Sequence, residues 1–429
     1  MIAGDSLGSD TPPAEHRVAG AAADSGLARD PHPFQIKPHQ SLQTRLLARL
    51  LPRLEAGHVI IETPSGERLS IAGPNPGPQA TIVLHRWRSL WRCVTGGELG
   101  FAEGYMAGDW SSPDITAVLD LGIANWQSLQ RVCAPAAPLR VWNRLMHRRR
   151  DNTRRGAKRN ILAHYDLGNE FYARWLDREM IYSSALYSHP DQSLEEAQSA
   201  KIDRAIALLE LNGGERVLEI GCGWGGLAER LIARHGCAVT GLTLSEEQLA
   251  YAQERLRQRG LLPQADVRLQ DYRDVNSRFD RIVSIEMFEA VGLAYWPVFF
   301  DKLRECLKSG GVAVLQVITI DESRFDAYRT TPDFIQRYIF PGGMLPTTAI
   351  MRREIDRAKL ALNSIETFGQ SYARTLAVWQ QRFEAAWPDI QKLGFDLRFK
   401  RMWEYYLAYC EVGFRRGAID VAHYQIRQS

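Results

Sequence analysis

The chain has 429 residues, 45% hydrophobic and 24% charged, an ordinary globular composition with room for two domains and a core that needs no metal or disulfide. Lys and Arg total 53 against 50 Asp and Glu, a net charge of +3, which argues against a bulk-basic nucleic-acid binder. The six cysteines, at 93, 133, 222, 237, 306 and 410, show no C-x-x-C spacing, which predicts free thiols in a reducing compartment and neither a zinc ribbon nor a redox motif.

Residues 1–35 are rich in Ala, Gly, Pro and Asp, with Phe34 the one aromatic. That composition predicts a disordered tail. Its acids and its lack of an apolar core segment argue against a secretory or transit peptide. No apolar run approaches the roughly 18 residues of a membrane span. Residues 36–139 are expected to form a small α+β domain. Leu42 to Leu54 has helical spacing, and Val59–Ile61, Leu69–Ile71 and Thr81–Leu84 read as short strands between Gly and Pro breaks. A helix is expected after Asp114. Residues 140–160 form a basic linker, with nine Lys or Arg against Asp151 over 140–159. A solvated connector is the plain reading. Attraction to anionic lipid is the sharper one, supported by Val141, Trp142, Leu145 and Met146 at its start.

From about 200 the pattern alternates helix and strand. Helices are expected at Ala200–Leu211, Leu227–His235, Glu246–Arg259 and Pro297–Leu307. Strands are expected at Arg216–Ile220, Ala238–Leu242, Val267–Leu269, Phe279–Ile285 and Gly311–Ile320. Repeated units of this size predict an α/β fold with a doubly wound, mostly parallel sheet. The domain is taken as 161–429, with an aromatic-rich helical extension over 321–429 that closes with a helix at Leu397–Arg416.

The text Val217-Leu-Glu-Ile-Gly-Cys-Gly-Trp-Gly-Gly226 runs off a strand into a helix. In an open α/β sheet, ligands bind beyond the carboxyl ends of the strands, where this loop falls. Its tight E-x-G-x-G spacing resembles the cofactor loop of S-adenosylmethionine methyltransferases. Gly226 also satisfies G-x-G-x-x-G, but the next strand ends in Gly241-Leu-Thr-Leu-Ser245 without the acid of a dinucleotide site. Asp271-Tyr272, after the third strand, offers an acceptor and an aromatic face to an adenine. A cofactor-free doubly wound domain would carry ordinary glycine turns here.

Further motifs extend the resemblance. They include His164-Tyr-Asp-Leu-Gly-Asn169, Tyr182-Ser183, Leu269-Gln-Asp-Tyr-Arg-Asp274, Met287-Phe-Glu289, Tyr338-Ile-Phe-Pro-Gly-Gly343 and Trp403-Glu-Tyr-Tyr-Leu-Ala-Tyr-Cys410. Over roughly 155–425 the chain resembles the cyclopropane-fatty-acyl-phospholipid and mycolic-acid cyclopropane synthases. The resemblance implies transfer of a methyl carbon from S-adenosylmethionine to a cis double bond of a phospholipid acyl chain. It implies a cofactor shell of Tyr182, Ser183, Glu219, Gly221, Gly223, Gly225, Thr243, Leu244, Ser245, Gln248, Asp271 and Tyr272. It also implies a bicarbonate base held near positions 184 and 316, Glu289, Ile318 and Tyr372, a role for Cys410, and no metal. His164 reads equally well as a structural histidine.

The chain departs from the family's usual residues at three places. Ser184 stands for Cys, Ala290 for His and Gln316 for His. Ser184 and Gln316 can donate to an oxyanion, but neither titrates near neutrality as His does. Alkene attack on the methyl leaves a carbocation, which aromatic faces stabilise. Loss of a methyl proton closes a ring, and loss elsewhere gives a methyl- or methylene-branched chain. The altered shell makes the branched product the alternative to the cyclopropane. A methyltransferase of soluble molecules and a protein without catalysis are the remaining readings. The expected partners are membrane acyl chains and an anionic lipid surface, with homodimerisation left open. The expected location is cytoplasmic, at the inner membrane face.

Overall fold

In this computed structural model the structure describes residues 41–50, 53–130 and 167–428. The tail at 1–35, the basic linker at 140–160 and His164 fall outside those residues.

The N-terminal unit begins with α1 (Leu42–Leu50), followed by β1 (Ala56–Glu62), β2 (Arg68–Ala72) and β3 (Asn75–Leu84). Next come α2 (Arg88–Met106), β4 (Trp110–Ser111), α3 (Ile115–Ala124) and α4 (Trp126–Gln130). Its sheet has the order β2-β1-β3-β4, with β1 antiparallel to β2 and parallel to β3. In β1, Val59 and Ile61 point inward between half-exposed neighbours, which is the alternation of a one-sided sheet. The stretch from Gly97 to Trp110 is mostly helix. It continues α2 through a kink at Gly97, whose φ of 60° departs from helical geometry. Asp114 caps α3 by accepting the Ala117 amide, a contact typically worth about 1 kcal/mol.

The larger unit contains α5 (Asn169–Ala173), α6 (Leu194–Leu208), β5 (Arg216–Ile220), α7 (Gly226–His235), β6 (Ala238–Thr243) and α8 (Glu246–Gln258). It continues through β7 (Ala265–Leu269), β8 (Phe279–Ile285), α9 (Trp296–Cys306), β9 (Leu307–Ile320), α10 (Glu322–Tyr328) and α11 (Thr348–Arg357). It closes with β10 (Ala361–Thr367), α12 (Gly369–Lys392), α13 (Leu397–Arg415) and β11 (Ile419–Arg427). Seven strands form one sheet in the order β10-β11-β9-β8-β5-β6-β7. The five strands β5 to β9 are parallel, and β11 runs antiparallel between β9 and β10. The predicted α/β architecture is therefore observed, with one correction. The region after 321 is not purely helical, because β10 and β11 complete the catalytic sheet. Their partners lie far away in sequence, so local periodicity carried little sign of them.

The two units pack together through α13. Tyr105 donates to Glu404, and Asp120 pairs with Arg415 and Arg416. An aromatic cluster of Phe171, Tyr172, Trp175, Trp379 and Trp403 joins α5 to α12 and α13.

Candidate active site

Two groups of residues meet at the carboxyl ends of the parallel strands. The first is the loop between β5 and α7. The amides of Gly221 and Cys222 both donate to the Leu242 carbonyl, at 3.0 and 2.9 Å, which ties the loop to the end of β6. Gly221 and Gly225 have φ of 87° and 82°, a region that disfavours side chains. A Cβ on Gly225 would sit 3.1 Å from the Ala252 Cβ, and one on Gly221 would sit 3.0 Å from Met287. The loop therefore keeps a bare backbone that a ligand can approach. Beside it, Glu219 is buried with Oε2 unpartnered, and burial pushes its carboxyl up to about 8. Thr243 donates to Gln248 at 2.8 Å and accepts the Ser245 amide, while Ser245 caps α8. These side chains brace one another, and Leu244 sits half-buried between them. An open strand-end loop with an orphan buried acceptor fits a polar adenosyl cofactor.

The carboxylate of Asp271 accepts from Arg273 at 2.8 and 2.6 Å. The Tyr272 ring lies edge-on to Phe299, with the Arg273 guanidinium 5.6 Å from its centroid. Both groups foreseen for the adenine are thus already engaged by Arg273.

The second group surrounds Glu286, which sequence reasoning passed over. It follows directly on β8 with φ of 49°, an uncommon conformation for a residue with a side chain. Its Oε1 accepts the Ser184 amide at 2.9 Å and the Gln316 side-chain amide at 2.6 Å. Its Oε2 accepts the Tyr372 hydroxyl at 2.7 Å. Burial raises its carboxyl, opposed by the Ser184 and Tyr372 bonds, the charge of Lys201 and Gln316. Three of the positions foreseen as a bicarbonate shell thus converge on a carboxylate of the chain itself. The Ser184 hydroxyl turns away to the Ala185 carbonyl, so this residue contributes its backbone and not its side chain. The remaining two positions pair with each other, the Ile318 amide donating to Glu289 Oε1 at 2.5 Å. A bicarbonate would have to displace Glu286 and stand beside it as a second negative charge, which like-charge repulsion opposes. The observed shell does not fit that ion.

Glu289 is half-buried, with Oε2 itself shielded from solvent and unpartnered; desolvation first, then Glu286, pushes its carboxyl up to about 8. Gln316 accepts at Oε1 from His423 Nε2, 2.9 Å away, across the β9–β11 pairing. Burial pushes His423 down to about 3, so the imidazole stays neutral. The imidazole missing at 316 has a counterpart on the neighbouring strand.

Lys201, also missed, is fully buried and donates to Ser183 Oγ at 2.6 Å. Burial lowers its amine to about 8, while Glu286, Asp177 and Glu219 favour its charge. It therefore lies electrostatically between the cofactor loop and the carboxylate centre. Tyr182 pairs with the Tyr406 hydroxyl at 2.8 Å inside the aromatic cluster. Burial, then Asp333, holds the Cys410 thiol far above its ordinary value. That keeps it protonated, unlike a thiolate nucleophile.

Sequence signals for Glu286 and Lys201 did exist. Glu286 is a carboxylate at the carboxyl end of a parallel strand, and Lys201 is a charge on the inward stripe of a helix. His423 had no local signal, since strand pairing alone brings it to Gln316.

A strand-end glycine loop beside buried acids, on this sheet, defines an S-adenosylmethionine-dependent methyltransferase. The sequence matches the family described as mycolic acid cyclopropane synthetase over residues 152–424, and the chain belongs to that family. It is 38% identical to the tuberculostearic acid methyltransferase of Mycobacterium tuberculosis over 87% of this chain and 89% of that one. It is 36% identical to the cyclopropane-fatty-acyl-phospholipid synthase of Escherichia coli K12 over 84% and 91%. Among solved structures, the cyclopropane synthase MmaA2 of Mycobacterium tuberculosis matches at 33% identity, covering 63% of this chain and 97% of that one, with TM-score 0.59. The mycolic acid cyclopropane synthase CmaA1 complexed with SAH and CTAB matches at 31%, covering 63% and 98%, with TM-score 0.60. S-adenosylmethionine is the methyl donor of this chain, and the fold is that of the methyltransferases.

Proposed function

We propose that the protein methylates a cis double bond in a phospholipid acyl chain, that Glu286 is the base, and that the product is a methylene- or methyl-branched chain. The observation that carries this reading is the Glu286 carboxylate among the Ser184, Gln316 and Tyr372 donors. The cofactor supplies an electrophilic methyl on a sulfonium. The loop from Gly221 to Gly225 and Glu219 would hold it, together with Ser183 and the Thr243–Gln248 turn.

The alkene π pair forms the new bond to the methyl carbon, the sulfur–methyl bond breaks, and the positive charge passes to the adjacent chain carbon. Tyr182, Tyr372 and Phe340 face the same cavity as Glu286 and Glu289, and aromatic faces and carboxylates stabilise such a charge. Immediate loss of a methyl proton closes a cyclopropane. A hydride shift from the methylated carbon instead gives a tertiary cation, and loss of the same proton then leaves an exocyclic methylene. Glu286 Oε2 accepts only from Tyr372 and keeps a lone-pair site for the proton, but the three donors hold down its basicity, which slows removal and favours the shift. A methyl branch needs a further reduction by a separate donor. The 38% identity to a protein named tuberculostearic acid methyltransferase agrees with this outcome. The 36% identity to a cyclopropane synthase favours ring closure as the second reading.

Attachment to an anionic lipid surface belongs to the same proposal. Trp91 and Val94 on α2 are 71% and 50% exposed. Arg86, Arg88 and Arg92 gather around the buried Asp109, and Arg92 also reaches Glu103 at 3.9 Å, so three guanidinium groups face two carboxylates and leave a positive excess beside Trp91 and Val94. No helix among the described residues is long and apolar enough to cross a membrane. The test supplies purified protein with methyl-labelled cofactor and vesicles of a cis-monounsaturated phospholipid, with the product read by NMR. A labelled exocyclic methylene is expected. A labelled cyclopropane overturns the assigned product, and unlabelled lipid overturns the substrate class.

A further inference from the structure

The described residues of the N-terminal unit carry no catalytic cluster, yet they share a wall with the reaction centre. One cavity of about 1290 Å³ is lined by Glu286, Glu289 and Tyr372, and also by Val59, Ile61, Ile71, Ile82, Leu84 and Leu121. The first five come from β1, β2 and β3 and lie on one face of the sheet. Register places Ile61 beside Ile82, and Val59 beside Ile71. Strand alternation sends His58, Ser70 and Glu62 to the other face. The apolar face of this sheet thus opens onto the cavity instead of being wholly covered by its own helices. The volume exceeds the range of about 300–1,000 Å³ usual for small-ligand pockets, as a long hydrocarbon requires.

We propose that the inner face of β1–β3 binds the methyl-terminal segment of the acyl chain, so that the N-terminal unit sets the chain length accepted. This rests on the lipid-acyl reading above. Direction follows from solvation. The ester end of the chain is tied to a headgroup in water, whereas Val59, Ile61 and Ile71 are 5%, 4% and 3% exposed. The free end of the chain is the part that can lie against such a wall.

Ile82 is the residue to change, because it lines the cavity and is only half-buried. The full-length protein and its Ile82→Phe and Ile82→Ala variants are assayed on vesicles of phospholipids. Their cis double bond is kept at a fixed distance from the ester, and the methyl-terminal segment is lengthened in two-carbon steps. Ile82→Phe is expected to lower kcat/KM for the longest chain at least tenfold relative to the shortest, with cofactor affinity unchanged. Ile82→Ala is expected to move the optimum to longer chains. If Ile82→Phe loses cofactor binding through misfolding, the Ile82→Ala shift decides. An equal change at every length overturns this inference alone. A wild-type protein that labels no lipid overturns the acyl-chain reading and this inference with it.

Discussion

Replacing Glu286 by glycine tests the centre most directly, because the structure gives opposing terms for it. The residue has φ of 49°, and glycine would relieve strain of roughly 1–2 kcal/mol. Against this, the Ser184 amide, the Gln316 amide and the Tyr372 hydroxyl lose their acceptor. Buried donors left unpaired cost roughly 1–3 kcal/mol each. Lys201 also loses a nearby opposite charge. The variant is therefore expected to lose a few kcal/mol of stability in bicarbonate-free buffer. Its turnover should fall about 10²- to 10⁴-fold, the usual worth of a positioned base. The vacated donors are then free to hold an anion, so added bicarbonate should raise both Tm and activity of Glu286→Gly. Wild type should respond to neither. The assay is methyl transfer from labelled cofactor to cis-unsaturated phospholipid, beside a thermal melt, with and without bicarbonate. Full activity of the variant without bicarbonate, or stimulation of the wild type by it, would refute Glu286 as the base.

Other expectations concern charge, backbone and surface. The Glu289 carboxyl titrates at about 8 in the fold against 4.5 unperturbed, so its share of stability is complete below pH about 4.5 and is lost as pH rises through about 8. Denaturant unfolding of Glu289→Gln should lack that decline. Lys201 shifts the other way, from 10.5 to about 8, so its contribution rises between pH about 8 and 10.5 and falls away below. Lys201→Met should remove that rise, and the acid limb of the pH–rate profile should move to higher pH as Glu286 loses a stabilising cation. Gly225→Ala meets both a φ of 82° and the Ala252 Cβ; titration calorimetry should show cofactor affinity at least tenfold weaker, and an unchanged affinity would argue against the loop as the cofactor cradle. Trp91→Asp should weaken sedimentation with anionic vesicles while leaving turnover of detergent-dispersed lipid intact.

The sequence alone determined the parallel strands, the helices between them and the strand-end glycine loop. Those features are written in short-range periodicity and in glycines at fixed spacing, which act through local sterics. It also carried the family resemblance, because several motifs stand in order along the chain. Its account of the base was incomplete for a physical reason. The carboxylate shell joins Ser184 before the first strand, Glu286 after the fourth, Gln316 on the fifth, Tyr372 on α12 and His423 on the last strand. Residue type indicated which of these could donate, but not where each donor pointed. Only the fold showed that Ser184 offers its amide and turns its hydroxyl away. Only β9–β11 pairing brought His423 to Gln316, and only burial converted Glu219, Glu289 and Lys201 from ordinary surface-type charges into perturbed acids and a perturbed amine. Contacts across hundreds of residues arise when the sheet closes and water leaves, and that step is decided by tertiary packing.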